Sequence, residues 1–170
     1  SLSFLKKRHK DALLIDAIAE GIDEEKVIGK IKHLKPGLLV VETSTPSLAN
    51  DMRLLRNMRH QLPECRIALS GAHASIFAYE ILNLHDFIDY VFIGEYEYIL
   101  SDLVDCLENK LDPTSVLGLA YREGINIKIN KRRGTIDDLD ALPWPERESL
   151  PVYKYNDAFC GLPKPNAQMW

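Results

Sequence analysis

Four short, continuously apolar runs, each closed by a polar residue or a glycine, restrict the fold of this chain more than any other feature. Ala12-Leu13-Leu14-Ile15 ends at Asp16, and Gly37-Leu38-Leu39-Val40-Val41 ends at Glu42-Thr43. Arg66-Ile67-Ala68-Leu69 ends at Ser70-Gly71, and Tyr90-Val91-Phe92-Ile93 ends at Gly94-Glu95. Runs of this length without polar alternation predict strands buried on both faces, as in a parallel sheet. The segments between them carry helical periodicity. Val27, Ile28, Ile31 and Leu34 make one stripe, and Leu48, Met52, Leu55, Met58 and Leu62 a second. Ile99, Leu100, Leu103, Val104 and Leu107 make a third. Asp23 and Ser47 stand where N-caps are expected, and Pro36 and Pro63 stop two of the helices. Repeated strand–helix–strand units with short connections predict a doubly wound, mostly parallel α/β sheet of Rossmann-like or flavodoxin-like type.

Two features mark the edges of that unit. Gly118 to Arg122 and Ile125 to Ile129 read as a C-terminal hairpin around Glu123-Gly124. Beyond Arg133 the texture changes to Asp137-Asp138-Leu139-Asp140 and then to repeated prolines from Pro143 to Pro165, an extended connector. A binding domain over 1–134 and a connector over 135–170 are therefore expected. Ser1 to Lys10 reads as the last turns of a helix, and the first strand of the sheet is expected upstream of Ser1.

Composition excludes several classes of function. A net charge of −4 gives no general pull toward nucleic acid or anionic membrane, and Lys6 to Lys10 is a short basic run at a helix end. No apolar stretch approaches the roughly 18 residues of a membrane span. Cys65, Cys106 and Cys160 are far apart and lack CxxC spacing, which argues for a reducing compartment, the cytoplasm by default, and against a metal site made by this chain alone. There is no GxGxxG after a strand, no GxxxxGK[ST] and no GxSxG.

Ligands of open parallel sheets bind at the carboxyl ends of the strands. The residues that follow the apolar runs are therefore the candidate site: Thr43, Ser44, Thr45 and Pro46; then Ser70, Gly71, Ala72 and His73; then Gly94 and Glu95. Small residues let a backbone approach a flat, bulky ligand, and hydroxyls supply hydrogen bonds, although the same residues are good strand-end and N-cap residues. His73 reads as a helix-start histidine bonded to backbone. His9, His33, His60 and His85 fall in helices or at their ends.

At these loops the sequence resembles the N-terminal domain of cobalamin-dependent radical S-adenosylmethionine enzymes, a group of methyltransferases and related cyclases. The likeness runs in order from Asp11 to Trp170. Leu14 to Ala17, Glu24-Glu25 and Lys35 to Val40 resemble the second and third strands and their helix. Thr43-Ser44-Thr45-Pro46-Ser47-Leu48 resembles the Ser/Thr-Pro loop along the corrin ring, and Ser70-Gly71-Ala72-His73 the Gly-Gly-Pro-His loop. Asp89 to Glu97 resembles the Val-Val-x-Gly-Glu-Gly-Glu segment. Gly118 to Arg122 and Asp138 to Pro145 resemble the hairpin and the connector. Asp16 to Gly21 has the spacing of DxHxxG, but Ile18 stands at the histidine position and cannot ligate cobalt. Ser70, where glycine is usual, would slightly crowd the nucleotide tail.

The resemblance implies cobalamin on the strand ends and a radical domain of the same polypeptide downstream. That domain would hold an iron–sulfur cluster through CxxxCxxC and cleave S-adenosylmethionine. None of the three cysteines here fits that motif, so this part is expected to position the corrin and to catalyse nothing itself. The competing expectation is a module of the same fold that has no ligand or takes a flavin or nucleotide.

Overall fold

The computed structural model describes residues 2–8 and 11–155. Its helices are α1 (Leu2–Arg8), α2 (Ala17–Glu20), α3 (Glu24–Leu34), α4 (Leu48–Gln61), α5 (Ala72–Ile76), α6 (Ala78–Leu84) and α7 (Glu97–Glu108). Its strands are β1 (Leu38–Glu42), β2 (Arg66–Ser70), β3 (Tyr90–Phe92), β4 (Leu119–Glu123) and β5 (Asn126–Ile129). They form one mixed sheet in the order β1-β2-β3-β4-β5. β1, β2 and β3 run parallel, joined by α4 and by α5–α6, and β4 and β5 form the expected hairpin antiparallel to β3.

Uninterrupted apolar strands belong in such a sheet because each face meets a separate core. Leu39, Val41, Ile67, Leu69, Val91 and Ala120 turn toward the core shared with α3, α4, α5 and α6. Their neighbours Leu38, Val40, Ala68, Tyr90, Phe92, Leu119 and Tyr121 turn toward α7 and Leu5 of α1. The helical stripes face inward as their spacing predicts, with Ile31, Leu55, Met58, Ile99 and Leu103 buried. Leu34, at the end of its stripe, is exposed.

Capping follows the sequence at one place and departs from it at another. The Asp23 carboxylate accepts from Lys26 N–H at 3.0 Å and starts α3. The Ser47 hydroxyl makes no cap bond to α4; it turns back to accept from Ser44 N–H at 3.0 Å.

The first apolar run is a clear departure. Residues 11–16 carry no strand assignment, and Leu13 and Leu14 are exposed. β1 pairs only with β2 among the described residues, so its outer edge is open. A run of apolar side chains does not make a strand until its N–H and C=O groups find a neighbouring ladder. Asp16 instead caps α2, accepting from Ala19 N–H at 3.0 Å, and its other oxygen accepts from the Tyr155 hydroxyl at 3.0 Å. The DxHxxG-like string therefore follows no strand, and Ile18 is 94% exposed.

The connector is largely irregular, with single 3-10 turns at Leu139–Ala141 and Val152–Lys154. Trp144 and Tyr153 are exposed, and Tyr155 is half-buried against Asp16. Trp170 and Cys160 lie outside the described residues, as does His9. No helix among the described residues is long and apolar enough to cross a membrane.

Candidate functional site

The three parallel strands deliver their carboxyl ends to one rim, and the loops there are tied to one another. Thr43 is buried; its N–H donates to Ser70 O at 3.0 Å and its hydroxyl to the Asp51 carboxylate of α4 at 2.7 Å. The first loop is thus fixed to β2 on one side and to the first turn of its own helix on the other. Thr45 Oγ1 and His73 Nδ1 share a hydrogen bond of 2.9 Å, which joins the first loop to α5. Gly94 N–H donates to Ser75 Oγ at 2.9 Å and joins the second loop to the third. His73 therefore bonds to a side chain rather than to backbone, and its ring packs on Phe77 with centroids 4.7 Å apart.

Gly71 is explained by Thr43. Its φ of +104° and ψ of 164° lie where side-chain-bearing residues are strained. A Cβ there would collide with the Thr43 carbonyl oxygen and come within 3.3 Å of its carbon. The missing side chain makes room for the protein's own backbone, whatever else approaches from above. Gly94 also has positive φ, +93°, but a Cβ there would meet nothing within 4 Å.

The sequence-derived residues divide into two groups. Thr43 and Ser70 are buried beneath the rim, whereas Ser44, Thr45, Pro46, Ala72, Gly94 and Glu95 are exposed on it. Gly71 and His73 lie between these extremes. Ser70 is only 1% exposed, and among the described residues its hydroxyl has no hydrogen-bond partner. A buried hydroxyl left unpaired costs about 1–3 kcal/mol, which an internal water or a small shift of the loops above it would relieve. The exposed small and hydroxylic residues Ser44, Thr45, Ala72 and Gly94 fit the approach of a broad, amide-rich ligand such as cobalamin.

Glu95 does something the sequence does not announce: its carboxylate accepts from Ile136 N–H at 2.7 Å, from the connector. Asp51 and Ile136 were not legible as site residues, since each acts through one side-chain contact between distant segments. Ser75 stands two residues beyond the candidate loop Ser70–His73, and nothing in its setting signals the contact with Gly94. The stretch Ser70–His73 is less loop than the resemblance implies, because α5 starts at Ala72. Among the described residues no group of three or more His, Cys, Asp or Glu could hold a metal ion. Cys65 and Cys106 are buried and form no disulfide among the described residues, and burial pushes both thiols up from their ordinary values.

The rim and the two-faced sheet define a fold shared with a domain of cobalamin-dependent radical S-adenosylmethionine enzymes. The structure of OxsB with aqua-cobalamin and S-adenosylmethionine bound superposes with a TM-score of 0.70 at 18% identity, covering 79% of this chain and 19% of OxsB. TsrM from Kitasatospora setae, with cobalamin and a [4Fe-4S] cluster bound, gives 0.66 at 15% identity, covering 78% and 25%. In sequence, the chain is 24% identical over 153 residues to a protein of Pyrococcus horikoshii named as an uncharacterized methyltransferase, covering 90% of this chain and 33% of that protein. It is 29% identical over 140 residues to the anaerobic magnesium-protoporphyrin IX monomethyl ester cyclase of Cereibacter sphaeroides, covering 81% and 23%. No family model matches. The chain thus spans a third or less of the length of these relatives.

Proposed function

We propose that this chain holds cobalamin across the carboxyl ends of β1, β2 and β3 and presents it to a radical domain of the same polypeptide. In this reading residues 1–134 form the binding unit and 135–170 lead toward the domain that carries the iron–sulfur cluster and S-adenosylmethionine. The observation that carries it is the tied rim: three loops of small and hydroxylic residues, cross-linked by Thr43–Ser70, Thr45–His73 and Ser75–Gly94.

When bound, cobalamin supplies the methyl-transfer or related radical chemistry of the whole enzyme. The chain's own residues bind and orient. Ser44, Thr45 and Pro46 line one side of the rim, Gly71, Ala72 and His73 its middle, and Gly94 and Glu95 the other side. Thr43 and Ser70 support them from below. Such cross-linking fixes the loops before the ligand arrives, which lowers the ordering cost of binding.

Equilibrium dialysis against hydroxocobalamin, with flavin mononucleotide and ATP in parallel, tests the reading. Retention of hydroxocobalamin alone supports it. Retention of a flavin or nucleotide in its place would transfer the site to the competing ligand class.

A further inference from the structure

We propose that Glu95 is a positioning residue that fastens residues 134–138 along the rim and makes this part of the connector a wall of the binding site. The proposal deepens the cobalamin reading and rests on it for the ligand. The anchor itself rests on geometry alone.

Three contacts hold the segment at the carboxyl end of β3. The Glu95 carboxylate accepts from Ile136 N–H at 2.7 Å. Immediately before the segment, Arg133 pairs with Asp102 on α7 and stacks over the Tyr98 ring, its guanidinium carbon 5.3 Å from the centroid. A cleft of about 220 Å³ lies against the segment, lined by Tyr98 and residues 133–138. The anchor at Ile136 spans 41 residues of sequence, so nothing local holds the segment there. Hydrogen bonds to a charged acceptor are among the stronger ones available to an irregular segment. Thr135, Asp137 and Asp138 are all exposed, and they give the wall acceptors suited to amide N–H groups. Cobalamin carries such amides around its ring.

The connector is therefore part of the site as well as the route out of it. A change at Glu95 reaches the ligand through the position of Ile136.

The test uses Glu95→Ala and Glu95→Gln, each read by hydrogen exchange at the Ile136 amide and by hydroxocobalamin affinity. Urea midpoints of both variants, expected near the parent's because Glu95 is exposed, report on folding. In Glu95→Ala the Ile136 amide exchanges about tenfold faster or more, the scale of one lost charge-assisted hydrogen bond, and hydroxocobalamin binds more weakly. Glu95→Gln retains an oxygen acceptor and restores both readouts substantially. Unchanged exchange at Ile136 in Glu95→Ala overturns the proposal. So does a Gln variant that protects Ile136 yet binds as weakly as the Ala variant, since the carboxylate would then act on the ligand directly. If the parent chain takes up no hydroxocobalamin, the cobalamin reading fails, and exchange at Ile136 still decides the role of Glu95.

Discussion

Replacing Gly71 by alanine adds one methyl group at the most constrained point of the rim, and its cost can be worked from two terms. Holding a residue other than glycine at φ +104° and ψ 164° costs on the order of 1–3 kcal/mol. The new Cβ would also collide with the Thr43 carbonyl oxygen, a backbone atom that cannot rotate aside. Thr43 N–H is itself bonded to Ser70 O, so the two loops must part to relieve the contact. Overpacking of this kind costs typically about 1–3 kcal/mol. The variant should therefore lose about 2–6 kcal/mol, a large fraction of the roughly 5–15 kcal/mol that stabilises a typical domain. At about 2–4 °C per kcal/mol for a chain of this size, the Tm should fall by roughly 10 °C. Urea unfolding followed by circular dichroism measures the free-energy loss, and a thermal melt measures the fall in Tm. Gly29→Ala is the internal control: Gly29 lies within α3 with nothing within 4 Å of a Cβ, and this change should stabilise by about 0.5–1 kcal/mol. A Gly71→Ala variant within about 0.5 kcal/mol of the parent, the range of ordinary surface substitutions, would refute the packing of Gly71 on Thr43.

Two further tests concern the scaffold. Arg59 donates to Phe87 O, Pro63 O and Cys65 O, each at 2.9 Å, and pairs with Asp89. Arg59→Met should cost about 1–3 kcal/mol in urea unfolding, because it takes the donor from three carbonyls, while the Asp89 carboxylate keeps Arg66 and the Ile67 N–H. The Glu146 carboxyl is lowered to about 2 by the Ser149 hydroxyl and N–H and then by Lys6. Its folded value lies below its unfolded one, so the stabilisation is complete above about pH 4.5 and fades as the pH falls toward 2. A carboxyl-resolved NMR titration should find a midpoint well below the ordinary glutamate range, with the resonances of Lys6 and Ser149 moving in step.

Much of the fold was legible because parallel sheets write themselves in continuous apolar runs. Leu38–Val41, Ile67–Leu69 and Tyr90–Phe92 all became strands, and the stripes from Val27, Leu48 and Ile99 became α3, α4 and α7. Ala12–Ile15 has the same texture and did not, since the open edge of β1 shows no ladder formed with it. Periodicity reports how a side chain would be buried, not whether its backbone has a partner. The rim was legible at the level of position, through the rule that ligands meet the carboxyl ends of strands. The individual duties were not. Gly71 could be recognised as a needed glycine, but only the structure shows that Thr43 requires it. Ser47 looked like a helix cap and serves the loop before it. Glu95 looked like a ligand contact, and its bond to Ile136 joins segments that no sequence pattern connects.

The central claim is that cobalamin lies across the ends of β1, β2 and β3, and backbone amide shifts measured by NMR during a hydroxocobalamin titration of this chain test it most directly. Saturable shifts at Ser44, Thr45, Gly71, Ala72, Gly94 and Glu95, extending to Ile136 and leaving the β4–β5 turn at Gly124 unmoved, are the expected result. No shifts, or shifts concentrated on the outer faces of α4 and α7, would contradict it.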